Sequence, residues 1–334
     1  MIRFARRQCL LAGVCTALAW ACAALASAGG ARADPEVPVR IEVRPFRSRT
    51  PSGPEFLTGA QGGREVDLAA ELRLPQGAGA RVPAVILVHG SGGINAAADV
   101  WARALNGIGV AALILDSFSG RGIVSTVADQ NQLHSLAMMV DAYRALDLLA
   151  QHPRIRADRI GIIGFSKGAV ASVYSAMDRF SRTHGPAGVR FAAHVGLYTP
   201  CNIRFSDDTK VGPAPIRMFH GVADDYVAIA PCRDYAARLR EAGADVALTE
   251  YPNAPHGYDN PLSPRSLAVP AAQSTRNCRL VEGLRGAIEV AGTQAAYTMA
   301  DPCVATGAHV GHDPEATAAT RDAVLAFFRE TLLR

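Results

Sequence analysis

Ser166 lies in Gly164-Phe165-Ser166-Lys167-Gly168, between the apolar run Ile160-Gly161-Ile162-Ile163 and the small residues Ala169-Val170-Ala171. This glycine-x-serine-x-glycine spacing is the signature of a nucleophile elbow, a turn from strand to helix too sharp for side chains two residues either side of the serine. A serine hydroxyl becomes a useful nucleophile only beside a base, and that base needs an acid to orient it. His256 is the expected base. It follows the strand pattern Val246 to Tyr251, in Pro252-Asn253-Ala254-Pro255-His256-Gly257. The acid falls between serine and histidine in chain order when the elbow belongs to a parallel sheet. Phe219-His220-Gly221-Val222-Ala223-Asp224-Asp225 supplies two candidates at a strand end, of which Asp224 is preferred and Asp225 is read as a solvated neighbour. The negative charge of a tetrahedral intermediate needs backbone donors. The amide of Lys167, next after the nucleophile, and that of Ser91, in the turn His89-Gly90-Ser91-Gly92-Gly93, are the expected pair. The chemistry these groups describe is acyl transfer from a carboxylic ester to water through an acyl-enzyme, with no cofactor.

Such groups must be positioned by rigid elements, and the chain has the right alternation. Val39 to Val43 and Val66 to Leu74 suggest an edge hairpin or two antiparallel strands, with Arg47 to Pro54 read as loop between them. Ala84 to Val88 and Val110 to Leu115 are continuously apolar, as strands covered on both faces are. Leu133, Leu136, Val140, Tyr143 and Leu146 recur three or four apart, one face of a helix ending before Pro153. Strands are then expected at the elbow, at Ala192 to Tyr198, at Ile216 to Phe219 and at Val246 to Tyr251. Helices are expected at Arg233 to Glu241 and from Pro314 to Leu333. Strands alternating with helices give a mostly parallel α/β sheet, with loops at the strand C-termini lining the site.

The chain has 334 residues. Its first 33 read as a signal peptide, leaving 34–334 as one α/β domain: Arg3, Arg6 and Arg7, an apolar run from Leu10 to Ala28, then Ala31-Arg32-Ala33. Removing that leader takes away four arginines and no acid, so the formal charge of +4 falls to zero. A neutral protein offers no electrostatic case for nucleic acid or an anionic membrane. The destination expected is the periplasm or the exterior, without membrane attachment after cleavage; the oligomeric state is not legible. Of seven cysteines, Cys201, Cys232, Cys278 and Cys303 remain after cleavage, and an even number in an oxidising compartment implies two disulfides. Cys201 and Cys232 both fall just beyond the C-termini of consecutive strands, which are usually neighbours. Cys201–Cys232 and Cys278–Cys303 are therefore the expected pairs. Zinc ligation by Cys278, Cys303, His309 and His312 is the weaker reading, because no C-x-x-C accompanies them.

The stretches Pro83-Ala84-Val85 into His89 to Gly93, Asp116 to Gly122, Gly164 to Gly168, His220 to Asp224, Ala254 to Gly257 and Asp313 to Thr317 together resemble the dienelactone hydrolase family of α/β-hydrolases. The resemblance runs from about Val66 to Leu333. It implies the α/β-hydrolase fold and the roles of Ser166, Asp224 and His256 as nucleophile, acid and base. Where the namesake enzymes use a cysteine nucleophile this chain has Ser166, and where they carry a glutamate beside the oxyanion turn it has Gly90. The resemblance also implies a substrate-carboxylate ligand near Arg121, against which stands an arginine bonded to loop carbonyls or paired with an acid. Residues 261–311, with weak periodicity and two cysteines, are expected to form an insertion before the last helix, a cap near the site. The function expected is hydrolysis of a small or medium ester or lactone. A peptidase, an acyltransferase or a binding protein on the same fold are the alternatives.

Overall fold

The computed structural model describes residues 40–60, 62–77 and 80–334; the leader, with its cleavage site and Cys9, Cys15 and Cys22, lies outside the described residues. Strand β1 (Arg40–Thr50) pairs antiparallel with β2 (Arg64–Leu74) along its whole length, Arg40 opposite Leu74 and Thr50 opposite Arg64. The chain between them is not the expected loop: β1 continues to Thr50, and helix α1 (Gly53–Thr58) follows. Its start was written in Ser52-Gly53-Pro54-Glu55. The Ser52 hydroxyl accepts from the Glu55 amide while the Glu55 carboxylate accepts from the Ser52 amide. That reciprocal cap, with proline in the first turn, nucleates a helix in a stretch that composition alone marks as turn.

Then come β3 (Val82–Val88), α2 (Ala96–Gly107), β4 (Ala111–Asp116), α3 (Ser135–Ala150), β5 (Ile155–Phe165), α4 (Lys167–Tyr174) and α5 (Asp178–His184). They are followed by β6 (Ala193–Leu197), β7 (Ile203–Arg204), β8 (Ile216–Gly221), α6 (Ala230–Glu241) and β9 (Val246–Tyr251). Eight strands form one sheet in the order β1-β2-β4-β3-β5-β6-β8-β9, antiparallel at β1, β2 and β4 and parallel from β4 through β9. The uninterrupted apolar character of β3 has a simple cause. Ala84, Ile86 and Val88 enter the core on one face with α3, α4 and α6, while Val85 and Leu87 enter the other with α2 and the last helix. Alternation of side chains across a strand, with helices on both faces, leaves no position for a polar residue.

The stretch 261–311 forms strands of its own: β10 (Leu267–Ser274), β11 (Leu280–Glu282), β12 (Ile288–Val290) and β13 (Ala305–Val310). β10 pairs with β13, and β11 lies between β12 and β7. The insertion is thus stitched to the body through Leu280–Ile203 and Val281–Arg204 pairing. Helix α7 (Pro314–Leu332) closes the chain, its N-terminus capped by the Asp313 carboxylate, which accepts from Glu315 and Ala316 at 3.0 Å each. Cys201 is bonded to Cys232 and Cys278 to Cys303, with Cα separations of 5.0 Å in both. Among the described residues no helix is long and apolar enough to cross a membrane.

Candidate active site

Ser166 stands between the end of β5 and the start of α4 with φ 51° and ψ −118°, a conformation that L side chains rarely adopt. The flanking glycines are forced by contact. A Cβ on Gly164 would fall 2.7 Å from the Ala169 Cα, and one on Gly168 would fall 2.7 Å from the Val88 carbonyl carbon, so any side chain would separate α4 from β3 and β5. The Ser166 amide is held by the Leu197 carbonyl of neighbouring β6 at 3.0 Å. What remains free to point outward is the hydroxyl.

His256 Nε2 lies 2.9 Å from the Ser166 Oγ, and His256 Nδ1 lies 2.8 Å from an Asp224 carboxylate oxygen. The other Asp224 oxygen accepts from the Tyr226 and Val227 amides at 2.9 and 2.8 Å, so the acid is aimed by its own turn. Burial alone would raise the Asp224 carboxyl. Charge on His256 and hydrogen bonds from His220 and His256 outweigh it and hold the group well below the usual carboxylate range. The His256 ring packs against Tyr198 edge-on and against a tilted Tyr226, both with centroids 4.7 Å away. Its carbonyl accepts from Gly311 of the segment after β13, at 3.0 Å. The relay is therefore braced from the sheet on one side and from the insertion on the other.

The two amides expected at the oxyanion position flank the serine. Lys167 is the first residue of α4, where helix geometry leaves the N–H without an intrahelical partner. Ser91 follows Gly90, whose carbonyl accepts from Gly93 at 3.1 Å and from His89 Nδ1 at 2.8 Å. His89 Nε2 accepts from the Ser117 amide, which leaves the proton on Nδ1 and fixes the direction of that bond. Because the Gly90 carbonyl and the Ser91 amide share one peptide plane, anchoring the one orients the other. A Cβ at Gly90 would sit 3.3 Å from the Ser166 Cβ and 3.1 Å from the Phe165 carbonyl, so a side chain there would crowd the serine.

The Lys167 side chain was not singled out for any role, yet it is nearly buried beside the site. Its Nζ donates to the Leu133 and Gln130 carbonyls at 2.6 and 3.1 Å and to the Thr126 hydroxyl at 3.0 Å. Burial pushes the amine down to about 7, against the opposing pull of Asp129. Gln130, pinned in this way, accepts from the Ser91 hydroxyl at 3.1 Å. Asp259 is a second buried acid near the relay, held by Trp101 and Tyr198 at 2.7 Å each, and burial raises its carboxyl above the usual range. Tyr198 could have been found by the rule that located His256, since it follows directly on the C-terminus of β6.

One expectation is corrected. Arg121 does not face the site: its guanidinium is buried in a bidentate pair with Asp141 of α3 and also donates to Thr50, Ser117 and Arg49. The loop after β4 turns this residue under β1, where it ties the edge hairpin to the body, and no donor is left for a substrate carboxylate. Asp225 is exposed, as expected of a solvated neighbour, and it has a partner besides water. Its two oxygens accept from the His309 amide and meet His309 Nδ1, each at 2.8 Å, clasping β13 to the turn that carries Asp224. With His309 so engaged and Cys278 joined to Cys303, the alternative zinc set is not assembled. Among the described residues no group of three or more His, Cys, Asp or Glu side chains could hold a metal ion.

A parallel sheet with a strained serine at its C-terminal edge and insertions ahead of the last helix is the α/β-hydrolase architecture. The sequence profile of the dienelactone hydrolase family matches residues 68–287, and the chain belongs to that family as a carboxylic ester hydrolase. Among solved structures it is similar to m3DLH, at 21% identity and a TM-score of 0.57, covering 87% of this chain and 99% of that one. It is likewise similar to P91, a dienelactone hydrolase-like promiscuous phosphotriesterase from metagenomic libraries, at 18% identity and a TM-score of 0.55, covering 87% and 98%. At these identities the likeness is one of fold. No curated protein matches the sequence.

Proposed function

We propose that this chain is an exported serine esterase in which Ser166, His256 and Asp224 carry the reaction. The observation that supports it most is the unbroken line of contacts from Ser166 Oγ through His256 to Asp224, at 2.9 and 2.8 Å. The Ser166 oxygen attacks the ester carbonyl while His256 Nε2 takes its proton, and Asp224 holds the resulting imidazolium. The carbonyl oxygen gains the negative charge and turns to the Ser91 and Lys167 amides. Collapse expels the alcohol, which takes the proton from His256 and leaves Ser166 acylated. Water then repeats the sequence, giving its proton to His256 and releasing the acid. Ester and water go in, acid and alcohol come out, so no cofactor enters the balance.

Export is supported by the charged, apolar and small-residue pattern of residues 1–33 and by two disulfides, which persist in oxidising compartments. The substrate class is a small or medium carboxylic ester, free in solution. The test is labelling with a fluorophosphonate, together with turnover of p-nitrophenyl acetate. Wild type should be labelled on Ser166, and Ser166→Ala should lose both label and turnover, by roughly 10³-fold or more, with the fold intact. Retention of more than a few per cent of turnover by that variant would place the nucleophile elsewhere.

A further inference from the structure

Ser166 opens onto a cavity of about 430 Å³ between the body and the insertion. Its apolar lining includes Leu136 and Val170 of the body and Leu280 and Ile288 of the insertion. Sites of this kind are mostly apolar, and a few placed polar groups fix the orientation of what they hold.

His134 supplies such a group. It stands just before α3 and caps that helix, its Nδ1 accepting from the Leu136 amide at 3.2 Å. The ring is neutral at ordinary pH, since burial, helped by nearby Lys167, pushes it down to about 4. A neutral imidazole whose Nδ1 accepts carries its proton on Nε2. Among the described residues no group accepts from that N–H. The ring is packed deep in the body and yet partly accessible, and it lines the cavity, so its open surface faces inward. A Cβ at Gly53, which also lines the cavity, would sit 3.7 Å from Nε2, so the glycine leaves that ring edge bare.

Water can serve this donor until a substrate enters. A purely apolar group that expels the water leaves the N–H unpaired, which weakens binding by about five- to a hundredfold. A site with a fixed donor therefore rejects substrates that cannot satisfy it. The reacting ester has no oxygen to spare. Its carbonyl oxygen turns to the Ser91 and Lys167 amides, and its alkoxy oxygen takes the proton from His256. The acceptor is then a second oxygen, and an uncharged one satisfies the donor without carrying a charge into an apolar wall.

We propose that His134 is a specificity-determining residue whose Nε2–H donates to a second, uncharged carbonyl oxygen of the substrate, so that the preferred substrates are otherwise apolar esters with a further carbonyl group, as in diesters. Either half of the ester can carry that oxygen. The inference rests on the serine-esterase reading above and adds a substrate class that the reading leaves open.

The test compares diesters with monoesters of equal length on the purified mature protein. Dimethyl adipate against methyl octanoate puts the second carbonyl in the acyl half. Tetramethylene diacetate against heptyl acetate puts it in the alcohol half. In at least one pair kcat/KM should favour the diester roughly tenfold or more, above the factor of about two due to its two equal ester groups. His134→Ser keeps a capping oxygen for α3 and removes the donor, so it should bring that ratio down to about two. A second readout needs no change at His134. In Ser166→Ala, the NMR signal of the Nε2-bound proton of His134 should move downfield with the favoured diester and not with its monoester partner. Ratios near two in both pairs overturn the proposal. So does a preference that His134→Ser retains, a proton signal that the diester leaves in place, or a preference for the monomethyl adipate anion over the dimethyl ester. If wild type is labelled by fluorophosphonate and turns over p-nitrophenyl acetate while both ratios stay near two, the esterase reading stands and only this inference falls. If it is neither labelled nor active on any ester, both fall.

Discussion

Replacing Arg121 with alanine should destabilise the protein without altering its choice of substrate. The side chains of Arg121 and Asp141 are 2% and 0% exposed. The guanidinium makes two bonds to the carboxylate at 2.8 and 2.9 Å and three more, to the Ser117 carbonyl, the Thr50 hydroxyl and the Arg49 carbonyl, at 2.7 to 3.0 Å. Truncation leaves Asp141 with the Ser48 hydroxyl as its remaining side-chain partner and strands acceptors at the end of β1. Removing one member of a buried pair costs about 3–5 kcal/mol, because the other charge stays in the interior uncompensated. At roughly 2–4 °C per kcal/mol, Tm should fall by roughly 6–20 °C. Calorimetry and urea titration of the disulfide-intact protein read that change. KM for an acidic ester and for its neutral analogue should shift together or not at all. An Arg121→Met/Asp141→Leu double variant should recover most of the loss, since an apolar pair of similar volume avoids the desolvation of both charges. Wild-type stability in Arg121→Ala, with KM raised for the acidic ester alone, would refute the reasoning and return this arginine to the substrate.

Lys167→Met should lower kcat about tenfold or more with little change in KM, since it frees Gln130 and with it the Ser91 turn while keeping the backbone donors. Its effect on stability has a defined sign. The folded amine sits at about 7 while the unfolded one titrates near the model value of 10.5, so the unfolded chain binds more protons between those values. Wild type should therefore gain stability as pH rises from about 7 towards 10.5, with the penalty fully present below 7. Lys167→Met should lack that slope in urea titrations at pH 7 and 10, and equal slopes would show that the amine is not perturbed. Asp225→Ala should loosen the insertion by removing the His309 clasp. Hydrogen exchange should quicken across β10 and β13, and kcat should fall less than in Asp224→Ala; a loss as severe as that of Asp224→Ala would make Asp225 the working acid.

Local chemistry made much of this protein legible from its residues alone. The elbow is readable because a turn that tight excludes side chains at Gly164 and Gly168 whatever lies elsewhere in the chain. The parallel sheet is readable because strands buried on both faces must be continuously apolar, as Ala84 to Val88 and Ala111 to Leu115 are. Asp224 and His256 could be singled out because chain order and strand ends place them at one edge of that sheet. The helix at Gly53 was equally local, carried by Ser52 and Glu55, and composition obscured it.

Tertiary structure alone decided what depends on partners distant in sequence. Arg121 and Asp225 are charged residues in loops, and nothing near them distinguishes a substrate ligand from a structural ion pair. Their roles were settled by Asp141, 20 residues on, and by His309, 84 residues on. Lys167 acquired its work from carbonyls 34 and 37 residues away, which no pattern around it announces. The cavity beside Ser166 belongs to no segment at all. It exists because pairing of β11 with β7 brings Leu280 and Ile288 over a body whose own pattern marks only a sheet edge. Periodicity and turn chemistry record the conformation of a stretch of chain. The pairing of a buried charge and the enclosure of a volume are properties of surfaces that meet only after the chain has folded.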